Sequence, residues 1–259
     1  MITDGSARVP RTRLGAAFPS LGSSSFSHSQ MHNLPSANEK YYFEILKSAQ
    51  KTEMLHFLMD GFRVDESLNR ASKITCEEIE KCLNGALDRA LKAECSILAR
   101  SQESHEIVGC MLSSVWRRDE SLSTPEGEDK DFEFRSVRKE VAMVGEILNE
   151  LHESFWSLRP DHDVVLHFEI SSVSKKHRRQ GLASKFMNWT ESKELLKSLE
   201  ATGIVTEASS LANQVLLSKR NYKTIATTFL DTKVDSETGN PVLTCDDGTD
   251  RVCLMFKEI

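Results

Sequence analysis

Three short stretches of the chain carry side chains that can hold an anion or move a proton. The longest is Ser172-Val173-Ser174-Lys175-Lys176-His177-Arg178-Arg179-Gln180-Gly181-Leu182-Ala183. It follows a β-branched run and opens a helical pattern, so free N–H groups and the helix dipole meet there and favour an anion, typically a pyrophosphate. Gly181 and Ala183 are small enough to let that anion reach the backbone. Lys175, Lys176, His177, Arg178 and Arg179 surround it with positive charge. Neither G-x-G-x-x-G nor G-x-x-x-x-G-K-[ST] occurs, which sets aside the two commonest phosphate motifs. A basic surface turn that only begins a helix is the plain alternative.

The second stretch holds His167 and Glu169, two apart in the run before that turn and therefore on one face of a strand. Such a pair can conduct a proton or serve as a hydrogen-bonded structural pair. The third is Asp65-Glu66, after the first helical pattern. Local sequence alone reads Glu66 as a solvated acid that caps a helix or pairs with Arg70. The six cysteines, Cys76, Cys82, Cys95, Cys110, Cys245 and Cys253, form no C-x-x-C pair. They read as reduced thiols rather than a disulfide scaffold or zinc site, and no metal is expected.

These residues need a scaffold, and the hydrophobic pattern supplies one. Strands are expected over 41–46, 95–99, 107–116, 164–173, 204–208, 223–230 and 251–256. Helices are expected over 52–62, 75–91, 137–156, 180–199 and 212–219. Thr75 with Glu78 is a capping-box signature. The strands 95–99 and 107–116 make an antiparallel hairpin, whereas 119–133 and 231–250 read as acidic loops. The result is a mixed α/β sheet of about seven strands flanked by helices, with no internal repeat. Residues 1–38, rich in Ser, Gly and Pro, read as a disordered tail ahead of a single domain over 39–259. The acid-poor, Arg-containing start gives a mitochondrial transit peptide as the alternative, although Pro10 and Pro19 would interrupt its helix.

The whole composition narrows the classes. The 259 residues carry a formal net charge of -6, which argues against a broad nucleic-acid footprint. A cationic substrate suits such a body better than a phosphodiester. No apolar run reaches the ~18–20 residues of a membrane helix. A cytoplasmic monomer with no membrane or nucleic-acid partner is expected.

The basic turn also carries a resemblance. Arg178-x-x-Gly181-x-Ala183 at the end of a strand is similar to the [Q/R]-x-x-G-x-[G/A] motif of the GNAT acyltransferases, and the order of elements from Tyr41 onward follows the GNAT plan. Within that superfamily the chain most resembles the insect-type arylalkylamine N-acetyltransferases. Asp65-Glu66-Ser67-Leu68-Asn69 is similar to their D-E-P-L-N. Ile107-Val108-Gly109 ending in Arg117-Arg118 is similar to their I-I-G…R-R strand. Ser209-Ser210 and the following helix are similar to their S-S-x-x-S helix.

The resemblance implies a GNAT fold and acetyl-CoA as co-substrate. Ile170, Ser171, Ser172 and Val173 would pair with the pantetheine chain and supply the oxyanion donor. Arg178, Arg179, Gln180, Gly181, Leu182, Ala183 and Ser184 would cradle the pyrophosphate. Glu66 would be the general base, Asp65 would help hold the cationic substrate, and His167 and Glu169 would be a second proton path, since vertebrate serotonin N-acetyltransferases place paired histidines there. Ser210 would assist thiolate departure. Asn213, beside the cofactor, stands where a second serine is usual, and it can donate a hydrogen bond but no proton. Leu217 stands where many relatives have a tyrosine, Arg179 where glycine is usual, Ser184 where glycine is common, and Arg220-Asn221-Tyr222 replaces L-G-F. Phe155, Trp156 and Trp116 are candidates for an aromatic pocket or for plain core.

The activity implied is acetyl transfer from acetyl-CoA to the primary amine of a small, arylalkyl-type amine, by direct attack in a ternary complex. Two other readings stay open: an acyl-CoA-binding sensor without turnover, and an acetyltransferase for polyamine or protein amines.

Overall fold

The computed structural model describes residues 34–123 and 132–259, the side chains of 121–123 excepted. The first 33 residues of the expected tail, and 124–131 of the first acidic segment, lie outside the described residues. Leu34 already packs against the core, and the Asn38 carboxamide oxygen accepts from the N–H groups of Lys40 and Tyr41.

Seven strands form one sheet: β1 (Tyr41–Ile45), β2 (Ile97–Ser101), β3 (Ile107–Arg117), β4 (Val164–Val173), β5 (Gly203–Ala208), β6 (Lys223–Phe229) and β7 (Arg251–Glu258). Their order is β1-β2-β3-β4-β5-β7-β6, antiparallel throughout except for the parallel β4–β5 pair. The helices are α1 (Lys51–Phe57), α2 (Arg63–Asp65), α3 (Ser67–Ser72), α4 (Cys76–Ala93), α5 (Arg118–Ser123), α6 (Lys139–Leu158), α7 (Leu182–Thr190), α8 (Lys193–Ser198) and α9 (Leu211–Lys219).

Alternation along the strands sorts them between two helical layers. Leu166, Phe168, Ile204 and Ala208 pack with Leu182 and Phe186 of α7 and Leu217 of α9. On the other face Trp116, Val165 and Val205 meet Val144, Ile147, Leu151 and Phe155 of α6. Beside them Leu98, Cys110, Leu112 and Ile170 meet Ile79, Leu83 and Leu87 of α4. Each α4 residue in that set recurs at helical spacing, as the sequence predicts. The capping box also forms: the Thr75 hydroxyl accepts from the Glu78 N–H, and the Glu78 carboxylate accepts from the Thr75 N–H.

Two irregularities in β4 shape the middle of the sheet. Leu112 faces Ile170 but Ser113 faces Phe168, so Glu169 is an extra residue in a β-bulge. The parallel pairing with β5 consists of Leu166–Ile204 and His167–Val205 alone, and the Thr206 hydroxyl donates to the Phe168 carbonyl just beyond. From Glu169 to Val173 the β5-facing edge of β4 has no strand partner among the described residues, so the two strands part.

Three expectations change in detail. The helix expected over 180–199 is two, α7 and α8, because Ser192 adopts an extended backbone and the Thr190 hydroxyl takes the Phe186 and Met187 carbonyls. The expected loop over 119–133 begins helically as α5. The helix expected over 52–62 runs on: α1 passes through a π-turn, Leu58–Phe62, into α2, which ends at Asp65. Single π-turns inside helices often mark functional sites.

Candidate active site

Where α2 meets α3 the backbone of Glu66 turns extended (φ -71°, ψ 142°), and its carboxylate caps α3 by accepting from the Asn69 N–H at 2.8 Å. Its other oxygen accepts from the Ser209 hydroxyl, also at 2.8 Å. Both residues open on a shared cavity. Phe62, Phe132 and Phe134 give this cavity an aromatic wall, α4 gives it Leu83 and Ala86, and the bulge of β4 turns both Glu169 and Ile170 into it. Glu207 completes the polar side. Burial pushes the Glu66 carboxyl above its ordinary range. The hydrogen bonds from Asn69, Leu68 and Ser209 and the charge of Arg70 offset only part of that rise.

The other two carboxylates of the cavity behave differently. Arg89 of α4 grips Glu169 with two bonds of 2.7 Å. Glu169 in turn lies 3.5 Å from His167 Nδ1, and His167 Nε2 lies 2.7 Å from Glu207 Oε2. Burial alone would strip the proton from His167, but Glu207 and Glu169 outweigh it and hold the imidazole pKa up at about 9. Burial would likewise raise the two acids. Arg89 and His167 instead keep Glu169 well below the usual carboxylate range, and His167 with His152 brings Glu207 down to about 2. Trp116 lies against both imidazoles, its ring centroid 3.9 Å from His167 and 4.0 Å from His152.

His152, His167 and Glu207 bring possible ligand atoms within 4.8 Å of one another, a spacing that metal ligands also show. An imidazolium between two carboxylates has no lone pair to give, so His167 in this state is a proton holder, not a ligand.

On the other layer, the basic turn forms a short 3-10 turn, Lys175–His177, and then two left-handed residues, Arg179 (φ 59°) and Gly181 (φ 79°). Gly181 opens α7, whose first N–H groups lack a side-chain cap, and a Cβ placed on Gly181 would meet nothing within 4 Å. Open space therefore lies over donors suited to an anion. Arg178 Nε donates to the Val173 carbonyl, tying the turn to the free end of β4.

No family model matches the sequence, and no curated protein does. Solved structures do match. Arylalkylamine N-acetyltransferase 2 from Aedes aegypti superimposes with a TM-score of 0.68 at 22% identity, over 85% of this chain and 99% of that one. Drosophila melanogaster polyamine N-acetyltransferase, which catalyses formation of N-acetylagmatine, gives 0.64 at 13% identity over 85% and 100%. The C-terminal condensation domain of Ebony, bound to beta-alanyl-dopamine, gives 0.60 at 17% identity over 85% and 99%. The fold is that of the GNAT acetyltransferases.

Ile170, Ser171, Ser172 and Val173 form the free edge of β4, and Arg178 through Ser184 form the turn and first helical residues that follow it. Glu66, Glu169 and, through its two carboxylates, His167 gather at the cavity. Asp65 does not join them: Lys175 at 2.6 Å and Arg178 at 3.0 Å draw its carboxylate to the basic turn, so it is engaged there instead of facing the cavity. Ser210 is turned to α9, where its hydroxyl accepts from the Asn213 N–H as an N-cap. The neighbouring Ser209, two residues beyond Glu207 and on the same side of the chain, reaches Glu66 in its place.

Of the two uses left open for the aromatic residues, Phe155 takes the core one and Trp116 packs between imidazoles. Leu217 is core as well. Asn221 holds a left-handed backbone (φ 68°) at the glycine position of the resembled L-G-F, a conformation asparagine tolerates. Arg220 beside it pairs with Glu191. Sequence reasoning quoted Ser209 only as part of the serine motif, and it missed Arg89, Glu207 and His152. The one signal available was the alternation Glu207–Ser209 at a strand end. Among the cysteines, Cys95, Cys110 and Cys253 are buried and none of the six is bonded to another.

Proposed function

We propose that this chain transfers an acetyl group from acetyl-CoA to the primary amine of a small arylalkyl amine, by direct attack in a ternary complex. The reading rests most on the cavity, which brings one carboxylate held by no ion pair among the described residues together with three phenylalanines, beside the free edge of β4. Of its three acids, Glu169 is matched by Arg89 and Glu207 by the His167 imidazolium, leaving Glu66 as the net charge. One net negative charge with Phe62, Phe132 and Phe134 suits a monocation carrying an aryl group. A polyamine would bring a second ammonium with no free partner among the described cavity residues.

The residues present fit the co-substrate. The unpaired edge from Glu169 to Val173 can pair with an extended amide-containing chain, and the open Gly181 turn with Lys175 and Arg178 suits its diphosphate. Bound acetyl-CoA supplies the activated thioester. The chain's part is then to deprotonate, position and stabilise. Glu66, with a carboxyl already raised toward neutrality, takes the ammonium proton. Ser209 orients that carboxylate. A backbone N–H near Ile170, freed by the bulge, can donate to the acetyl oxygen as negative charge gathers on it.

The test is thiol release from acetyl-CoA with a panel of phenethylamine-type monoamines, agmatine, spermidine and a lysine peptide. The expected outcome is turnover with kcat/KM at least about tenfold higher for an aromatic monoamine than for spermidine, a preference worth about 1.4 kcal/mol. Preference for spermidine or the peptide would contradict the acceptor. Acetyl-CoA binding without turnover for any amine would favour the sensor.

A further inference from the structure

Asn69 stands on α3, one turn beyond Glu66, and lines the same cavity. The residue is only 5% exposed. Its backbone is fully engaged: the N–H donates to Glu66, and the carbonyl accepts from the Ile74 N–H at 3.1 Å and from the Ser72 hydroxyl at 3.2 Å. Its carboxamide makes no hydrogen bond among the described residues, and neither carboxamide atom is sealed within the protein as Glu207 Oε1 is. The acids, the serine and the arginine of the cavity are all engaged: Ser209 with Glu66, Arg89 with Glu169, and Glu207 with His167. A side chain at this helical position often bonds back to the N–H of the capping residue. That use is closed here, because the Glu66 N–H donates to the Phe62 carbonyl at 2.9 Å. Helical side chains lean toward the N-terminus, which directs the carboxamide toward the Glu66 turn. A polar group so buried costs free energy unless a ligand completes it.

We propose that Asn69 holds the acceptor amine: its carboxamide oxygen accepts one N–H of the substrate nitrogen while a second N–H gives its proton to Glu66. This deepens the proposed function and rests on it. A primary ammonium brings three N–H donors, and Glu66 can take only one proton. With no partner fixing its rotation, the carboxamide is free to turn its oxygen to a cation. Once the proton has moved, Glu66 is neutral and the nitrogen carries a lone pair. The bond to Asn69 then limits how the amine can rotate and keeps that lone pair for the thioester carbon. Asn69 itself gains no proton and no charge. A neutral carboxamide cannot match a second positive charge, so the cavity stays suited to a monocation. A site that must pair a buried polar group also rejects ligands that leave it unpaired. A tertiary ammonium has a single N–H, which Glu66 would take, and it leaves Asn69 unfilled.

The experiment compares wild type with Asn69→Leu, which removes the acceptor at similar volume, and with Asn69→Ala. The readouts are kcat/KM for phenethylamine and for its ring-hydroxylated form, KM for acetyl-CoA, and Tm. The expected result in both variants is a kcat/KM at least about tenfold lower, by a similar factor for the two amines, with KM for acetyl-CoA within about twofold. The Tm of Asn69→Leu should equal or exceed that of wild type, because an apolar group replaces an unpaired buried one. An unchanged kcat/KM overturns the proposal. So does a loss confined to the ring-hydroxylated amine, since Asn69 would then hold the ring. A clear fall in Tm in both variants marks a structural role and overturns it as well. If wild type turns over no amine, the proposed function fails first, and phenethylamine binding then decides Asn69. A Kd raised at least about tenfold in Asn69→Leu supports the holder, whereas an unchanged Kd, or no binding by wild type, overturns it.

Discussion

At the scale of single residues, the proposed chemistry depends on how burial and hydrogen bonds divide between three carboxylates. Glu66 is raised by burial and only partly relieved by its donors, of which the Ser209 hydroxyl is one. That bond favours the charged form, so removing it must raise the pKa further. In Ser209→Ala the acid limb of the pH profile of kcat/KM should move to higher pH, with the plateau at alkaline pH close to wild type. A shift to lower pH, or none, would detach Ser209 from the base. This role was not legible in the sequence. Two adjacent serines follow β5, and only the strand's phase, fixed by pairing with a distant β7, decides that Ser209 faces Glu66 while Ser210 caps α9. Arg89, His152 and Glu207 were hidden for a related reason: they come from α4, α6 and β5, which meet only in the folded chain.

At the scale of elements, the basic turn was the most legible part, because its signals are local: a strand, small residues and a helix start within a dozen positions. Its backbone also explains a departure that the sequence could only flag. Arg179 takes φ 59°, where a glycine would sit without strain. A side chain in that left-handed region costs about 1 kcal/mol. Arg179→Gly should therefore stabilise the protein by up to about 1 kcal/mol, less whatever glycine's freer unfolded chain takes back. Chemical denaturation measures it, and a clear loss of stability would mean that the Arg179 side chain contributes more than its backbone costs. The bulge at Glu169 was not legible, since it is set by a mismatch of register between β3 and β4. It matters twice, turning Glu169 to Arg89 and releasing the β4 edge that parts from β5.

At the scale of the whole molecule, the sheet order, the free edge of β4 and the two helical layers give two faces to one site. The turn before α7 is suited to an anion, and the cavity under α4 and α6 is suited to a cation. The net charge of -6 favours the second partner over distance, an attraction that salt should screen. The first acidic segment reaches the cavity through Phe132, and Asp247 of the second accepts from the Ser67 hydroxyl next to Glu66. The mixed sheet and its element order were legible because periodicity and capping agree with the final packing, as in α4. The adjacent acids Asp65 and Glu66 link the faces, Asp65 pairing with the basic turn and Glu66 lining the cavity, and replacing Glu66 gives the most direct test. Because the folded-state pKa of Glu66 is raised, the folded chain binds its proton more tightly than the unfolded chain. Above its unfolded pKa the charge therefore lowers stability. In Glu66→Gln, measured at pH 8, kcat with an aromatic amine should fall by about 10²-fold or more. Acetyl-CoA affinity should stay unchanged, and Tm should equal or exceed that of wild type. Retained turnover with a normal Tm would contradict Glu66 as the base, and with it the division of labour in the cavity.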